Sequence, residues 1–510
     1  MTAAKQIRNL RSLQLALRPE LSLVDGPAGD LCLTSPIGAL TFRRLTPGLR
    51  NVFAALVAGG STLDQLSTSV VSGEGQEALT KMFHHLEQLS RRGLLRHTVA
   101  VGSEPIATIT GIGLRYRFEL RAIDTSRPYL LSRFAYCRRE GANTVLETPL
   151  GQAQIILHDW RATALISMLA EPRAVSELLD RWPGMDDDVI AGCFQLLLNA
   201  RALAAASEDT DMEEDNPALA QWSFHDLLFH SRSRYGRHNN PYGATFRHIN
   251  SIQPLPAVKP VGVGPRIELH RPNLPQLDLS DPSLVHVMET RRSIYEYGQQ
   301  PITIEQLGDF LFRVARVKSQ GEMRVKSFYG PGETVMETTS RPYPAGGKCY
   351  ELELYLVVDQ CQGLAPGMYH YEPLDHCLTH VSDRNEHVEA FFRYAAVAAP
   401  NGHPQVLIEL AARFQRVSWK YDGIAYATTL KHVGVLYQTM YLVATAMGLG
   451  PCALGSGDSD LFAAATGHDY YTETSVGEFM LGSLPSQTAD SRAEDSGSAE
   501  DSGCEAASPE

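Results

Sequence analysis

Apolar residues spaced three or four positions apart predict amphipathic helices in both halves of the chain. In the first half, residues 77–92 have this spacing at Leu79, Phe83, Leu86 and Leu89. In the second half, Thr303–Gln306 has the sequence of a capping box, in which the threonine and glutamine side chains cap the first turn of a helix. The apolar face of that helix consists of Leu307, Phe310, Leu311 and Val314.

Continuous apolar runs in the second half predict buried strands. Tyr350–Val358 and Gln405–Ala412 are such runs, and Met368–Tyr371 with Cys377–His380 predict a hairpin across a short turn. The longest apolar segment, Ile424–Leu449, contains Lys431, His432 and Gln438, whose polar groups a bilayer would disfavour. We therefore predict a long buried helix over Ala425–Met447 and no membrane span.

An internal repeat occupies the first two hundred or so residues. Leu33–Leu40 aligns with Leu146–Ala153, and in both copies two short apolar runs around a glycine turn lead into helical stretches. We predict two small winged-helix-like α/β repeats, over residues 1–100 and 101–206, each a β-hairpin followed by three helices.

The net charge of −13 is concentrated in two segments. Glu208–Asp215 contains six acidic residues and no basic one, and Gln487–Glu510 contains seven acidic residues against Arg492. We predict an acidic linker and lead-in segment over 207–279, a larger domain over 280–485, and a disordered acidic tail over 486–510. Basic residues form no stripe, so we expect no nucleic-acid ligand.

The eight cysteines lack the paired spacings of zinc sites, so no metal centre is predicted. The N-terminus lacks the apolar core and cleavage site of an export signal, and free thiols in a cytoplasmic protein are the expectation. We expect Cys452 to be a structural thiol, and His376 and His380 to be exposed to solvent.

Three short motifs in the second half carry candidate chemistry. Arg291, Arg292 and Ser293 offer two guanidinium groups and a hydroxyl, which suit a phosphate, although such a triplet is also typical of a solvated helix end. Lys420 and Tyr421 precede the long predicted helix. The third motif lies directly before a strand, where glycine lets the backbone approach a flat ligand, and consists of Pro344, Ala345, Gly346 and Gly347.

Taken in order, these motifs resemble those of the SagB-type FMN-dependent dehydrogenases, which belong to the nitroreductase superfamily. The resemblance covers about Trp222–Leu484 and includes the glycine turn Ala446–Gly450. It differs at Ala345, where the family commonly has serine, and at the entry to the long helix, where the family commonly has arginines. The N-terminal repeats resemble the PqqD-like elements that bind leader peptides; the alternative is a generic winged-helix scaffold or dimerisation arm.

The resemblance implies an α+β fold with an antiparallel-rich sheet flanked by helices. It also implies a homodimer, with the long helix at its centre and FMN between the two subunits. In that arrangement the Arg291–Ser293 triplet holds phosphate and ribityl oxygens, and the Pro344–Gly347 segment presents its backbone to the flavin ring. The phosphate side is completed by Leu454, Gly455 and Ser456.

The reaction implied by the resemblance is oxidation of thiazoline or oxazoline rings in a heterocyclised precursor peptide, with a cyclodehydratase as a further partner. FMN takes a hydride and a base takes a proton; Lys420 and Tyr421 match a pair associated with activity in this family. Burial would lower the pKa of the lysine, and a nearby ammonium would lower that of the tyrosine. The alternative reading is a surface lysine beside a core aromatic. The alternative functions are a nicotinamide-dependent nitro or quinone reductase and a non-catalytic peptide-binding scaffold.

Overall fold

Two sets of strands and helices, each with its own cores, form the described parts of the chain. The computed structural model describes residues 6–7, 13–26, 30–35, 38–113, 115–179, 185–205, 216–400 and 402–485. The predicted acidic stretch at 208–215 and the predicted tail at 486–510 lie outside the described residues. The chain divides into two compact units, Met1–Pro241 and Tyr242–Glu510.

The first unit combines short strands with helices of up to fifteen residues. Its strands are β1 (Gln6–Ile7), β2 (Leu13–Leu17), β3 (Ser22–Asp25), β4 (Leu31–Ser35), β5 (Gly38–Phe42), β6 (Ser61–Thr62), β7 (Leu95–Val101), β8 (Glu104–Gly111), β9 (Ile123–Asp124), β10 (Pro128–Leu131), β11 (Tyr136–Glu140), β12 (Asn143–Glu147), β13 (Ala153–Leu157), β14 (Arg173–Ala174) and β15 (Leu203–Ala205). Its helices are α1 (Pro47–Ala58), α2 (Leu63–Glu74), α3 (Glu77–Arg91), α4 (Trp160–Met168), α5 (Val175–Leu179), α6 (Asp187–Asn199), α7 (Pro217–Ala220) and α8 (Phe224–Arg232).

Both copies of the predicted repeat show the predicted order of elements. Hairpin β4–β5 leads to α1, α2 and α3, and hairpin β12–β13 leads to α4, α5 and α6. The copies share one seven-stranded sheet of order β11-β12-β13-β8-β7-β2-β6, because β13 of the second copy pairs with β8. Each copy retains its own core, around Phe53 and Met82 in the first and around Ile155 and Phe194 in the second. The domain boundaries within this unit stay predictions.

The second unit is built on longer strands. Its strands are β16 (Gly243–Ala244), β17 (Arg266–Glu268), β18 (Ser319–Lys326), β19 (Glu333–Ser340), β20 (Leu352–Val358), β21 (Gly367–Glu372), β22 (Cys377–Asp383), β23 (Val406–Arg413), β24 (Tyr421–Asp422), β25 (Leu449–Leu454) and β26 (Glu473–Ser483). Its helices are α9 (Leu274–Ser280), α10 (Leu284–Thr290), α11 (Ile304–Ala315), α12 (Glu386–Ala398), α13 (Gln415–Ser418), α14 (Ala425–Ala446) and α15 (Ser459–Thr466).

A seven-stranded antiparallel sheet of order β17-β22-β21-β20-β23-β26-β25 forms the centre of this unit. Alternate residues of β20 point to opposite faces. Leu354 and Leu356 pack in one core with α11 and α14, whereas Tyr355 and Val357 pack in the other with α12 and α15. The predicted α+β fold, with an antiparallel-rich sheet flanked by helices, is therefore confirmed.

Local sequence signals for this unit are also confirmed. Thr303 and Gln306 form the capping box at the start of α11, and the predicted hairpin is β21–β22. The long helix is α14, which buries Leu436 and Met440 against the sheet. Among the described residues, no helix has the length and apolar character needed to cross a membrane.

The expectation that His376 is exposed is wrong, because this residue is 2% exposed. Its Nδ1 lies 2.9 Å from the Tyr371 hydroxyl and its Nε2 lies 2.8 Å from the carbonyl oxygen of His270. The segment around residue 270 covers the hairpin turn, a contact between positions far apart in sequence. His380, by contrast, is partly exposed and lies 3.0 Å from Asp383.

Candidate active site

Lys420 lies in the turn between α13 and α14 and is buried, with 6% of its surface exposed. Its ammonium donates a hydrogen bond to the carbonyl oxygen of Gly347 at 3.0 Å. It also lies 5.6 Å from the ring centre of Phe246 and 5.4 Å from that of Tyr421. Lys420 is therefore not a surface lysine.

The predicted glycine segment lies directly against this lysine and its neighbour. Gly347 has φ +60, a left-handed conformation that favours glycine. A Cβ at this position would lie 2.3 Å from the Lys420 Nζ and 2.5 Å from the Tyr421 hydroxyl. The structure thus brings two of the three predicted motifs into one cluster, and the absence of a side chain at Gly347 is what lets them meet.

The protonation of the pair differs from the sequence expectation at one residue. Burial lowers the pKa of Lys420, with Arg416 adding to this and the Cys349 thiol opposing it. Burial raises the pKa of Tyr421 above its ordinary value, so the expected lowering by the neighbouring ammonium does not occur. The lowered pKa makes the neutral amine of Lys420 more available as a proton acceptor, and the raised pKa keeps the proton on Tyr421.

A buried histidine and glutamate support the glycine segment, and the sequence analysis did not identify them as site residues. The backbone N–H of Gly346 donates to the Nε2 of His432 at 2.6 Å. The Nδ1 of His432 lies 2.6 Å from Glu351 Oε1, and both side chains are at most 7% exposed. Nε2 can accept this bond only if the ring carries its proton on Nδ1, which donates to the carboxylate. The other oxygen, Glu351 Oε2, has no partner among the described residues.

The segment from Gly243 to Leu255 holds the Lys420–Tyr421 turn from outside the predicted 280–485 domain. Strand β16 pairs with β24, and the Phe246 N–H donates to the Lys420 carbonyl oxygen at 3.3 Å. Arg416 donates to the carbonyl oxygen of Leu255 at 2.8 Å and to that of Cys349 at 3.0 Å. These backbone contacts fix the turn in place.

The arginine triplet lies at a second cluster, where α10 meets α14 and β25. The guanidinium of Arg291 lies 5.2 Å from the ring centre of Tyr441, and the hydroxyls of Ser293 and Tyr441 are 2.8 Å apart. The Tyr441 hydroxyl also accepts from the backbone N–H of Ala453 at 2.8 Å. Arg292 is exposed, and neither arginine forms an ion pair among the described residues.

The third predicted segment begins where β25 ends. Leu454 is buried and pairs with Glu478, whereas Gly455 and Ser456 are exposed. Through Tyr441 this end of β25 lies beside the arginine triplet. His432 and Tyr441 are nine residues apart on α14, so the two clusters lie about 14 Å apart along the helix.

Two buried carboxylates face each other beside the second cluster and were not predicted. Glu409 and Glu478 are directly opposite in β23 and β26 and are 1% and 7% exposed. Burial raises the pKa of Glu478 to about 7, and burial with the Glu478 charge raises that of Glu409. The pair therefore retains protons at pH values where free glutamate has lost them.

The described residues contain no group of three or more histidine, cysteine or acidic side chains arranged to hold a metal ion. The cysteines among them are free thiols. Cys452 is buried in β25, and burial raises the pKa of its thiol.

Comparison with protein families covers most of the chain in three consecutive matches. Residues 288–483 match the model of the nitroreductase family. The second unit therefore has a nitroreductase-like fold. Residues 129–239 match the model described as cyanobactin oxidase ThcOx, and residues 9–120 match that of the ThcOx helix-turn-helix domain. These two matches cover the region of the two repeats and are to ThcOx domains, so they do not specifically support PqqD-like elements.

Two curated proteins match parts of this chain. The putative nitroreductase MJ1384 of Methanocaldococcus jannaschii is 28% identical over 197 residues, which are 38% of this chain and 86% of that protein. The microcin B17-processing protein McbC of Escherichia coli is 29% identical over 132 residues, 25% of this chain and 47% of that protein. The match thus spans about half the length of McbC.

Solved structures also align with the chain. The Escherichia coli microcin synthetase McbBCD complex with truncated pro-MccB17 aligns at 19% identity and a TM-score of 0.31, covering 51% of this chain and 92% of that one. A putative nitroreductase in complex with FMN from Desulfovibrio desulfuricans aligns at 15% identity and a TM-score of 0.25, covering 42% of this chain and 95% of that one.

Proposed function

We propose that this protein uses FMN to oxidise thiazoline or oxazoline rings in a heterocyclised precursor peptide to the aromatic azoles. The observation that carries the proposal is the cluster of Lys420 and Tyr421 against Gly347. It joins a buried amine of lowered pKa to a glycine segment whose backbone lies directly against it. The matches to ThcOx domains before a nitroreductase-like domain, and the match to McbC, support a peptide substrate.

The residues of the second cluster fit the phosphate end of FMN. Arg291 is partly buried and has no carboxylate partner among the described residues, and the Ser293 hydroxyl lies beside it. An arginine fork and a hydroxyl are the donors that a phosphate takes. We assign the phosphate and ribityl oxygens to Arg291, Arg292 and Ser293 with Leu454, Gly455 and Ser456, and the ring to the backbone of Pro344–Gly347.

The proposed chemistry removes one hydride and one proton from adjacent ring carbons. FMN, when bound, supplies the hydride acceptor. Lys420 in its neutral form takes the proton, which its lowered pKa favours. Tyr421 keeps its proton because burial raises its pKa, and so serves as a hydrogen-bond donor that orients the substrate. His432 holds the N–H of Gly346 and fixes the glycine segment beside the lysine.

The proposed assembly is the one that the family resemblance implies. We propose a cytoplasmic homodimer with α14 at its centre and FMN between the two subunits. We propose that the N-terminal repeats bind the leader of the precursor peptide and that a cyclodehydratase supplies the azoline.

A second candidate is a nicotinamide-dependent reductase of nitro compounds or quinones. The match to the putative nitroreductase MJ1384, which covers 86% of that protein, favours it. The first unit argues against this second function, because an enzyme that acts on a small substrate needs no such extension.

Substitution of the pair tests the proposal. An azoline-bearing peptide is incubated with FMN-loaded wild type, Lys420→Gln, Tyr421→Phe and the double variant, and mass spectrometry counts the hydrogen atoms lost. We expect a pair of hydrogens lost per ring with wild type, a loss of at least about 100-fold in rate for Lys420→Gln, and a smaller loss for Tyr421→Phe.

Lys431→Gln, a lysine on the neighbouring helix, is the matched control and should behave as wild type. Unchanged azole formation by the double variant would remove the catalytic assignment. Flavin content is measured for each variant, so that loss of FMN is distinguished from loss of the base.

A further inference from the structure

An open cavity of about 360 Å³ lies in the second unit, and none of its lining residues belongs to either cluster of the candidate active site. It is formed at the C-terminal end of α11, at the turn between β21 and β22, and at the start of β18. Its lining residues include Arg271, Phe312, Arg316, Lys318 and Leu374. Three of these side chains are cationic, and Phe312 and Leu374 are apolar.

The cations of this cavity are not neutralised by neighbouring carboxylates. Arg316 donates to the carbonyl oxygen of Phe312 and lies 4.4 Å from its ring centre, and Arg271 donates to the carbonyl oxygen of Asp375. The Lys318 side chain is exposed and has no partner among the described residues. None of the three takes part in an ion pair in the part of the chain that the structure describes.

The nearby carboxylates are already bound elsewhere. Asp375 and Glu372 both pair with Arg266 at 2.6 Å. Arg266 is not one of the residues that line the cavity. Counting these groups with the cavity, the local charge remains positive. His376 also lines the cavity, but burial lowers its pKa, so it adds no positive charge near neutral pH. A cleft with an excess of positive charge attracts anions.

The sequence supplies such an anion within the same chain. Gln487–Glu510 carries seven acidic residues and one basic one. The described chain before it ends beside the start of α11, where the Ser483 hydroxyl donates to the carbonyl oxygen of Gln300 at 2.7 Å. From Ile304 to Arg316 the helix rises about 18 Å. Twenty-five residues of extended chain span up to about 80 Å, so the acidic segment can reach the cavity.

We propose that the cavity binds carboxylates of the chain's own acidic segment, residues 487–510. The guanidinium groups of Arg271 and Arg316 and the ammonium of Lys318 pair with the aspartate and glutamate side chains, and small residues between these acids pack against Phe312 and Leu374. Because the segment is tethered, its effective concentration at the cavity is in the millimolar range.

Competition with a peptide in trans tests this proposal. A fluorescein-labelled peptide of residues 487–510 is titrated, with anisotropy as the readout, against the full wild-type chain and against a full-length chain whose seven tail acids are changed to amides. If the peptide binds with a Kd of about 100 µM, the millimolar effective concentration of the tethered segment exceeds that Kd about ten-fold. The tethered segment should therefore weaken peptide binding to wild type about ten-fold relative to the neutral-tail chain.

Cavity variants in the neutral-tail chain locate the binding. Arg271→Gln/Arg316→Gln/Lys318→Gln should lose at least ten-fold in peptide affinity. Arg271→Glu/Lys318→Glu, which changes only exposed side chains, serves if the triple variant does not fold. The control matches the charge change of the triple variant at exposed positions elsewhere: Arg324→Gln/Lys326→Gln/Arg393→Gln.

The control should bind within two-fold of its parent. Equal peptide binding by wild type and the neutral-tail chain would overturn the proposal, since the tail would not occupy the cavity. Equal losses in the cavity and control variants would overturn it too, since binding would reflect net charge alone.

Discussion

Gly347→Ala gives the most specific perturbation of the candidate active site. The new Cβ would lie 2.3 Å from the Lys420 Nζ and 2.5 Å from the Tyr421 hydroxyl. Non-bonded heavy atoms at rest lie roughly 3.5 Å apart, so the pair must retreat by about 1 Å. A left-handed alanine costs about 1–2 kcal/mol, and overpacking of a buried cluster adds about 1–3 kcal/mol. We expect a total loss of about 2–5 kcal/mol in the free energy of unfolding.

Gly448→Ala is the matched control for this substitution. Gly448 has φ +65, close to the +60 of Gly347, but a Cβ there would meet nothing within 4 Å. Its variant should therefore lose only the backbone part, about 1–2 kcal/mol. Urea unfolding of both variants measures the difference, and mass spectrometry of an azoline peptide measures their activity.

Activity should separate the two variants further. A displacement of about 1 Å in a catalytic group costs about 100-fold in rate, so Gly347→Ala should be nearly inactive while Gly448→Ala keeps its activity. If the two variants lost equal stability and both oxidised the peptide at the wild-type rate, the contact between the glycine segment and the Lys420–Tyr421 pair would be refuted.

Three further predictions concern the buried carboxylates, the arginine triplet and the lysine. Folding raises the pKa of Glu478 to about 7 from an ordinary value of 4.5, so the folded protein holds a proton that the unfolded chain has lost, and stability falls as pH rises through this window. Glu478→Gln should match wild type near pH 4 and exceed it by about 3 kcal/mol at pH 8.5 in urea unfolding, whereas the exposed Glu268→Gln should follow wild type at both pH values. Arg291→Gln should weaken FMN binding by about 1.5–3 kcal/mol in a flavin fluorescence titration, and Arg393→Gln should not; equal affinities would remove the phosphate assignment. Because only neutral Lys420 accepts a proton, log kcat/KM should rise with pH until the lowered pKa of this lysine is passed, and a flat profile between pH 6 and 9 would contradict its role as base.

Signals carried by neighbouring residues made much of the fold predictable. The capping box at Thr303 and Gln306 and the β21–β22 hairpin depend on residues a few positions apart, and both are present. In both cases spacing along the chain reflects position in space. Gly347 and Lys420 are 73 residues apart, and only the family resemblance indicated that they belong to one site.

Contacts between distant positions could not be predicted in the same way. His432 and Glu351 are separated by 81 residues, and Glu409 lies on a different strand from Glu478. A single histidine in an apolar helix and a single acid in an apolar strand carry no signal of their partners. For the same reason the sequence did not show that the segment around Phe246 holds the Lys420 turn, or that His376 is buried.

Anaerobic mixing of the FMN-loaded protein with one azoline-bearing peptide, followed by flavin absorbance, tests the central proposal most directly. The peptide should bleach the flavin band in a single turnover and lose a pair of hydrogens per ring, and Lys420→Gln should abolish both changes while retaining FMN. A flavin that stays oxidised with the peptide but is bleached by a reduced nicotinamide would contradict the account and favour a small-molecule reductase.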